Sequence, residues 1–98
     1  MTAIYSPVIE ASTVSPWQIG KYYLIRTVTM IQTGKLTFVG PHELVLESAS
    51  WIADTGRFSN ALKSGDYSEV EPFHRPVIVG RGAVIDAVEV DSVPTKQK

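Results

Sequence analysis

"LTFVGPHELVLES", residues 36–48, alternates apolar and polar positions, breaks at Gly40-Pro41-His42, and alternates again. Successive side chains on a strand point to opposite faces, so Leu36 and Phe38 share one face while Lys35 and Thr37 share the other. On the return strand Leu44 and Leu46 turn inward, with Glu43 and Glu47 outward. Two half-buried strands joined across a short turn make an antiparallel hairpin, and this hairpin sets the class of the fold as mainly β.

Upstream, "KYYLIRTVTMI" (residues 21–31) is dense in β-branched and aromatic residues and meets no breaker before Gly34, so it is predicted to be the longest strand. Tyr23, Ile25, Thr27, Thr29 and Ile31 alternate with Tyr22, Leu24, Arg26, Val28 and Met30, and both sets are largely apolar. Such a strand is central, or is covered on its second face by an arm, a helix or a partner.

Downstream, "DTGRFSNALKSG" changes period: Phe58, Ala61 and Leu62 stand at i, i+3 and i+4, which predicts one short helix over residues 56–64. Asp54 or Thr55 is positioned to cap its start, Gly65 to close its end, and Trp51 and Ile52 to staple it onto the sheet. "VIVG" and "AVIDAVEV" then read as two strands separated by Gly80-Arg81-Gly82. Residues 1–16, with Pro7 and Pro16, read as an extended arm carrying a short strand at residues 4–9. The organisation is one domain over residues 1–98: an arm (1–16), a β-barrel core (17–92) and a tail (93–98). Five to six short strands with tight turns and a single helix suit a small, closed or nearly closed barrel of SH3-like or Sm-like character, which also removes exposed edges.

Composition bounds the function. A 98-residue chain supports one core and buries about two thirds of the surface its unfolded form exposes. Nine basic against ten acidic residues leave a formal charge of −1, which supplies no general attraction to phosphate backbones or anionic membranes. The absence of cysteine removes disulfides, thiolate nucleophiles and cysteine-based zinc sites. "MTAIYSPVIEASTVSPW" lacks the basic start and apolar run of a signal peptide, and no stretch approaches the ~18 apolar residues of a membrane helix. The expected location is the cytoplasm in which the chain is made or a particle assembled there.

Two resemblances follow from these segments. "TGKLTFVGPHELVLESASWIADTGRFSNALKSGDYSEVEPFHRPVIVGRGAVIDAVEV", with its TGK turn, "LVLE" strand, "WIADTGRF", "AL" helix and "EVEP" connector, resembles a family of short, uncharacterised proteins of tailed bacteriophages and prophages over roughly residues 20–90. The resemblance implies a phage origin without implying an activity. More weakly, Gly34 and Leu36, Leu44 and Leu46, and Arg81-Gly82 are similar to the two signature segments of the Sm-like RNA-binding barrels. That family has an Asp and an Asn in its first loop, where this chain has Gly40-Pro41-His42-Glu43, and its helix lies at the N-terminus. The likeness therefore implies a small barrel and argues against RNA binding.

Few residues point to chemistry. His42 and His74 stand 32 positions apart with no metal-ligand spacing, and His42 in a hairpin turn is expected to be exposed. Asp54-Thr55-Gly56 matches the aspartic-protease triplet, but it precedes a helix pattern and reads as cap and turn. No nucleophile elbow or histidine-centred triad appears, so no enzyme, cofactor or metal site is expected. Gly80-Arg81-Gly82 offers a guanidinium for anion recognition or, as the structural reading, a tight turn with Arg81 paired to Glu69 or Glu71. Lys21, Arg26 and Lys35 with Tyr22 and Tyr23 hold the ingredients of single-strand binding; the same tyrosines with Trp17, Trp51 and Phe73 would serve a protein interface.

The interaction residues expected are thus Trp17, Tyr22, Tyr23, Arg26, Lys35, Trp51, Glu69, Glu71 and Arg81. The expected role is a non-enzymatic phage accessory protein, oligomeric and virion-associated, decorating or stapling the head or neck, with itself and a capsid or neck protein as partners. Two alternatives come from other classes: a host-directed binding module using the acidic connector Glu69 to Glu71, and an Sm-like nucleic-acid binder.

Overall fold

The structure, a computed structural model, describes residues 15–98, so all of the expected arm but Ser15 and Pro16, including the strand at residues 4–9, lies outside the described residues. Its elements in chain order are β1 (Tyr22–Thr27), β2 (Ile31–Val39), β3 (Glu43–Asp54), α1 (Phe58–Ser64), β4 (Glu69–Pro72), β5 (Val77–Gly80) and β6 (Val84–Val90). A 3-10 turn, Arg81–Ala83, joins β5 to β6.

The hairpin read from residues 36–48 is β2 and β3, with Leu36 paired to Leu46 and Val39 to Leu44. All pairing is antiparallel, in the order β4-β3-β2-β1-β6, and β5 joins the outer edge of β3 alongside β4. β3 is long enough to serve two neighbours: Glu43 to Leu46 pair with β5, and Ser50 to Asp54 with β4. Among the described residues, six strands and one helix match the expectation. Closure does not, because among the described residues no ladder joins β5 to β6 and the sheet stays open.

The strand expected over residues 21–31 is two strands. The chain reverses after Thr27, whose N–H donates to Met30 O at 2.8 Å and whose Oγ1 accepts from the Met30 N–H at 3.0 Å. A threonine hydroxyl closes this turn, where the β-branched Val28 and Thr29 carry no turn signal. Gly34 then lies inside β2 instead of ending a strand. Thr33 pairs with Ser50 and Lys35 with Glu47, so Gly34 alone faces both Ser48 and Ala49 across a β-bulge, with Ser48 left-handed at φ 51°. The bulge brings β3 so close that a Cβ on Gly34 would stand 2.7 Å from Leu46 Cβ.

A second bulge, at Thr37 of β2, shifts the alternation by one residue. Leu36 is buried as expected, but Phe38 is turned out to 49% exposure and Val39 packs on the core in its place. Leu44 and Leu46 are buried and Glu47 is exposed, as the alternation requires.

Both faces of β1 are covered by the chain itself. Tyr23 and Ile25 join Leu36, Leu44, Leu46, Ala49 and Val79 in one core. Leu24, from the opposite face, joins Ile52, Ala61, Tyr67, Val70 and Val90 in a second. The helix supplies Ala61 to that second core, while Phe58 and Leu62 of its expected apolar face stay exposed. Its start is not capped by Asp54 or Thr55: Arg57 occupies the cap position without a side-chain bond. Asp54 Oδ1 instead accepts the Gly56 N–H at 2.8 Å, closing a turn in front of the helix. Gly65, left-handed at φ 68°, ends the helix as expected and donates its N–H to Ala61 O. Ile52 staples the helix layer to the sheet, whereas Trp51 points to the other face and is half-exposed. The C-terminal segment lies along β4, where the N–H groups of Val70 and Lys98 each donate to the other's carbonyl at 3.0 Å.

Candidate ligand groove

The β3 bulge does more than bend the sheet. Ser48, exposed at the bulge, and Ala49 beside it line one wall of a groove of about 300 Å³. The opposite wall is the connector from β4 to β5, with Pro72, His74, Arg75 and Pro76, and Pro94 with Thr95 closes one end. The Phe73 N–H donates to Ala49 O at 2.9 Å, tying connector to bulge. Three prolines stiffen these walls by restricting their backbone torsions. Ser48 and His74, at φ 51° and φ 65°, are the non-glycine residues with left-handed backbone among the described residues, and both line this groove. Each such conformation costs roughly 1–3 kcal/mol and persists where surrounding contacts over-determine it.

The lining is rich in donors. Arg75 and His74 are exposed, and neither belongs to an ion pair among the described residues. Ser48 and Thr95 add hydroxyls; the fully buried Ser50 hydroxyl has one long bond, donated to Pro94 O at 3.5 Å. Glu47 is the carboxylate in the lining, and Lys35 is its cross-strand neighbour. A guanidinium, an imidazole, the hydroxyls of Ser48 and Thr95 and a preformed concavity can bind an acceptor-rich group.

None of the nine expected interaction residues lines this groove. Tyr23 is buried; its ring meets Trp17 edge-on at 5.1 Å and its hydroxyl accepts the Gln18 N–H at 3.0 Å. Tyr22 is half-buried against the second core, directly across from exposed Lys35. Arg26 is held by Asp86 of β6 through two hydrogen bonds, Nε to Oδ1 at 2.8 Å and Nη2 to Oδ2. This bonding raises the guanidinium pKa and holds the Asp86 carboxyl below the usual carboxylate range. Lys21 stands 3.8 Å from Glu89, so two of the three cations of the expected basic stripe face carboxylates.

Arg81 is structural as read, but with another partner. Its Nη1 donates to Gly40 O at 2.7 Å and its N–H to His42 O at 2.9 Å, so it clamps the β2–β3 turn instead of meeting Glu69 or Glu71. Glu69 is exposed, and Glu71 accepts from Gln97 Nε2 at 3.4 Å. Trp51 and Arg26 are brought together on a second groove of about 400 Å³ with Met30, Ile31 and Ile85. His42 is exposed on its turn as expected. Among the described residues no three His, Asp or Glu side chains gather as a metal site, and no helix is long and apolar enough to cross a membrane.

Ser48, His74 and Arg75 were not legible as site residues. The only sequence signal near them is the proline density of "EPFHRP", which marks a rigid connector without saying what it faces. No family model, curated protein or solved structure matches the chain.

Proposed function

We propose that the chain is a non-enzymatic bacteriophage accessory protein that assembles with copies of itself and associates with the virion at the head or neck. The observation that supports assembly is the pair of open strand edges. Among the described residues β5 bonds only to β3 and β6 only to β1, and they carry Ile78, Ile85 and Val88 at 73%, 63% and 42% exposure. Unpaired edges with aliphatic side chains beside them are templates for pairing with another chain. The phage origin rests on the "WIADTGRF" resemblance. We read the sheet as an opened SH3-like barrel: β1, β2, β3 and β5 in sequence, then the 3-10 turn and β6 returning to β1, with α1 and β4 inserted between β3 and β5.

Nucleic-acid binding has less support, since Arg26, Lys21 and Arg81 already face Asp86, Glu89 and the Gly40 carbonyl. Mass spectrometry of gradient-purified particles, with light scattering of the isolated protein, tests the proposal. Many copies per particle and an oligomer that Ile85→Lys dissociates are expected. A monomer absent from particles would overturn it, and a stoichiometric host protein recovered with that monomer would establish the host-directed alternative.

A further inference from the structure

We propose that the groove between the β3 bulge and the β4–β5 connector is a binding site for an oxyanion group, phosphate or carboxylate. The inference is independent of the assembly proposal, because none of Ile78, Ile85 and Val88 lines this groove. Four observations converge on it. The first is the preformed concavity of about 300 Å³ with Pro72, Pro76 and Pro94 in its walls, so that little ordering entropy is lost on binding. The second is charge: Arg75, next to His74 on the connector, is in no ion pair among the described residues. A guanidinium presents planar, paired N–H donors that match the two oxygens of a carboxylate or phosphate.

The third observation is that Ser48 and Thr95, both hydroxyl-bearing, line the groove, and the buried Ser50 hydroxyl next to them is held only by a 3.5 Å bond. That length exceeds the ~2.5–3.0 Å of a good O–H···O bond, so a shorter acceptor would be preferred. The fourth is conformation. Ser48 and His74 both stand in left-handed backbone on this groove. Glu47 opposes anion entry, with Lys35 at the paired position of β2.

The occupant is therefore a group with two or more acceptor oxygens, carried on a small molecule or at a chain end. Titration of the full-length protein with inorganic phosphate and separately with acetate, at constant ionic strength, is followed by amide NMR. Saturable shifts are expected at Ser48, Ser50, His74, Arg75 and Thr95. Saturation by phosphate alone assigns a phosphoryl ligand, and saturation by both ions includes carboxylates. Arg75→Gln should weaken binding by about tenfold or more, because one charge-assisted contact is lost. Lys63→Gln, on the helix outside this groove, should leave binding unchanged and reports general electrostatics. Shifts that never saturate, equal binding by the folded Arg75→Gln protein, or equal loss in Lys63→Gln would each overturn the proposal.

Discussion

Replacing Gly34 by alanine adds one methyl group at the point where β2 and β3 approach most closely. The new carbon would lie 2.7 Å from Leu46 Cβ, 3.2 Å from Ala49 Cβ and 3.2 Å from Glu47 O. Carbon atoms meet comfortably at about 3.5–4.0 Å, so the first contact is short by roughly 1 Å. Cβ atoms cannot rotate away from each other, and Leu46 and Ala49 are themselves buried in the core. Relief therefore requires the strands to separate and the bulge to open, in the range of 1–3 kcal/mol typical of overpacking, and we expect about 2 kcal/mol.

For a chain of this size that corresponds to a fall in Tm of about 8–16 °C. Thermal and urea unfolding followed by tryptophan fluorescence and circular dichroism measure it. Gly80→Ala is the control: its backbone is at φ −68° and nothing lies within 4 Å of the added carbon. That substitution should be neutral or stabilising by about 0.4–1 kcal/mol through the unfolded state. Equal stabilities of Gly34→Ala and Gly80→Ala would refute the close approach of β3 to Gly34.

Two further predictions concern polar groups. Arg81→Lys keeps the charge but not the fork that reaches Gly40 O at 2.7 Å, so it should cost roughly 1.5–3 kcal/mol and raise amide exchange at His42 and Glu43; unchanged exchange there would remove Arg81 from the hairpin clamp. Tyr67 is 1% exposed and its hydroxyl has no hydrogen-bond partner among the described residues, so Tyr67→Phe should stabilise the protein by about 1 kcal/mol at neutral pH. Burial raises the Tyr67 pKa: folding favours the neutral phenol, a contribution complete below the ordinary tyrosine range and lost as pH rises through the elevated folded value. The stability advantage of Tyr67→Phe should therefore widen in alkali, and a constant difference across that window would contradict the burial of the hydroxyl.

The β class, the hairpin at residues 36–48, the helix ended by Gly65 and the inward faces of Leu44 and Leu46 were legible along the chain, because these depend on local periodicity and turn chemistry. The events that alter that periodicity depend on contacts made only in the folded chain. The turn after Thr27 rests on its own hydroxyl, and the Thr37 bulge turned Phe38 outward although its spacing from Leu36 placed it inside. The bulge opposite Gly34 exists because β3 supplies two residues where β2 supplies one. Parity along a strand is a local property, but register is a property of the pair. For the same reason the candidate groove was invisible: Ser48, His74 and Thr95 are far apart in sequence and meet only after bulge, connector and C-terminal segment have been folded against one another.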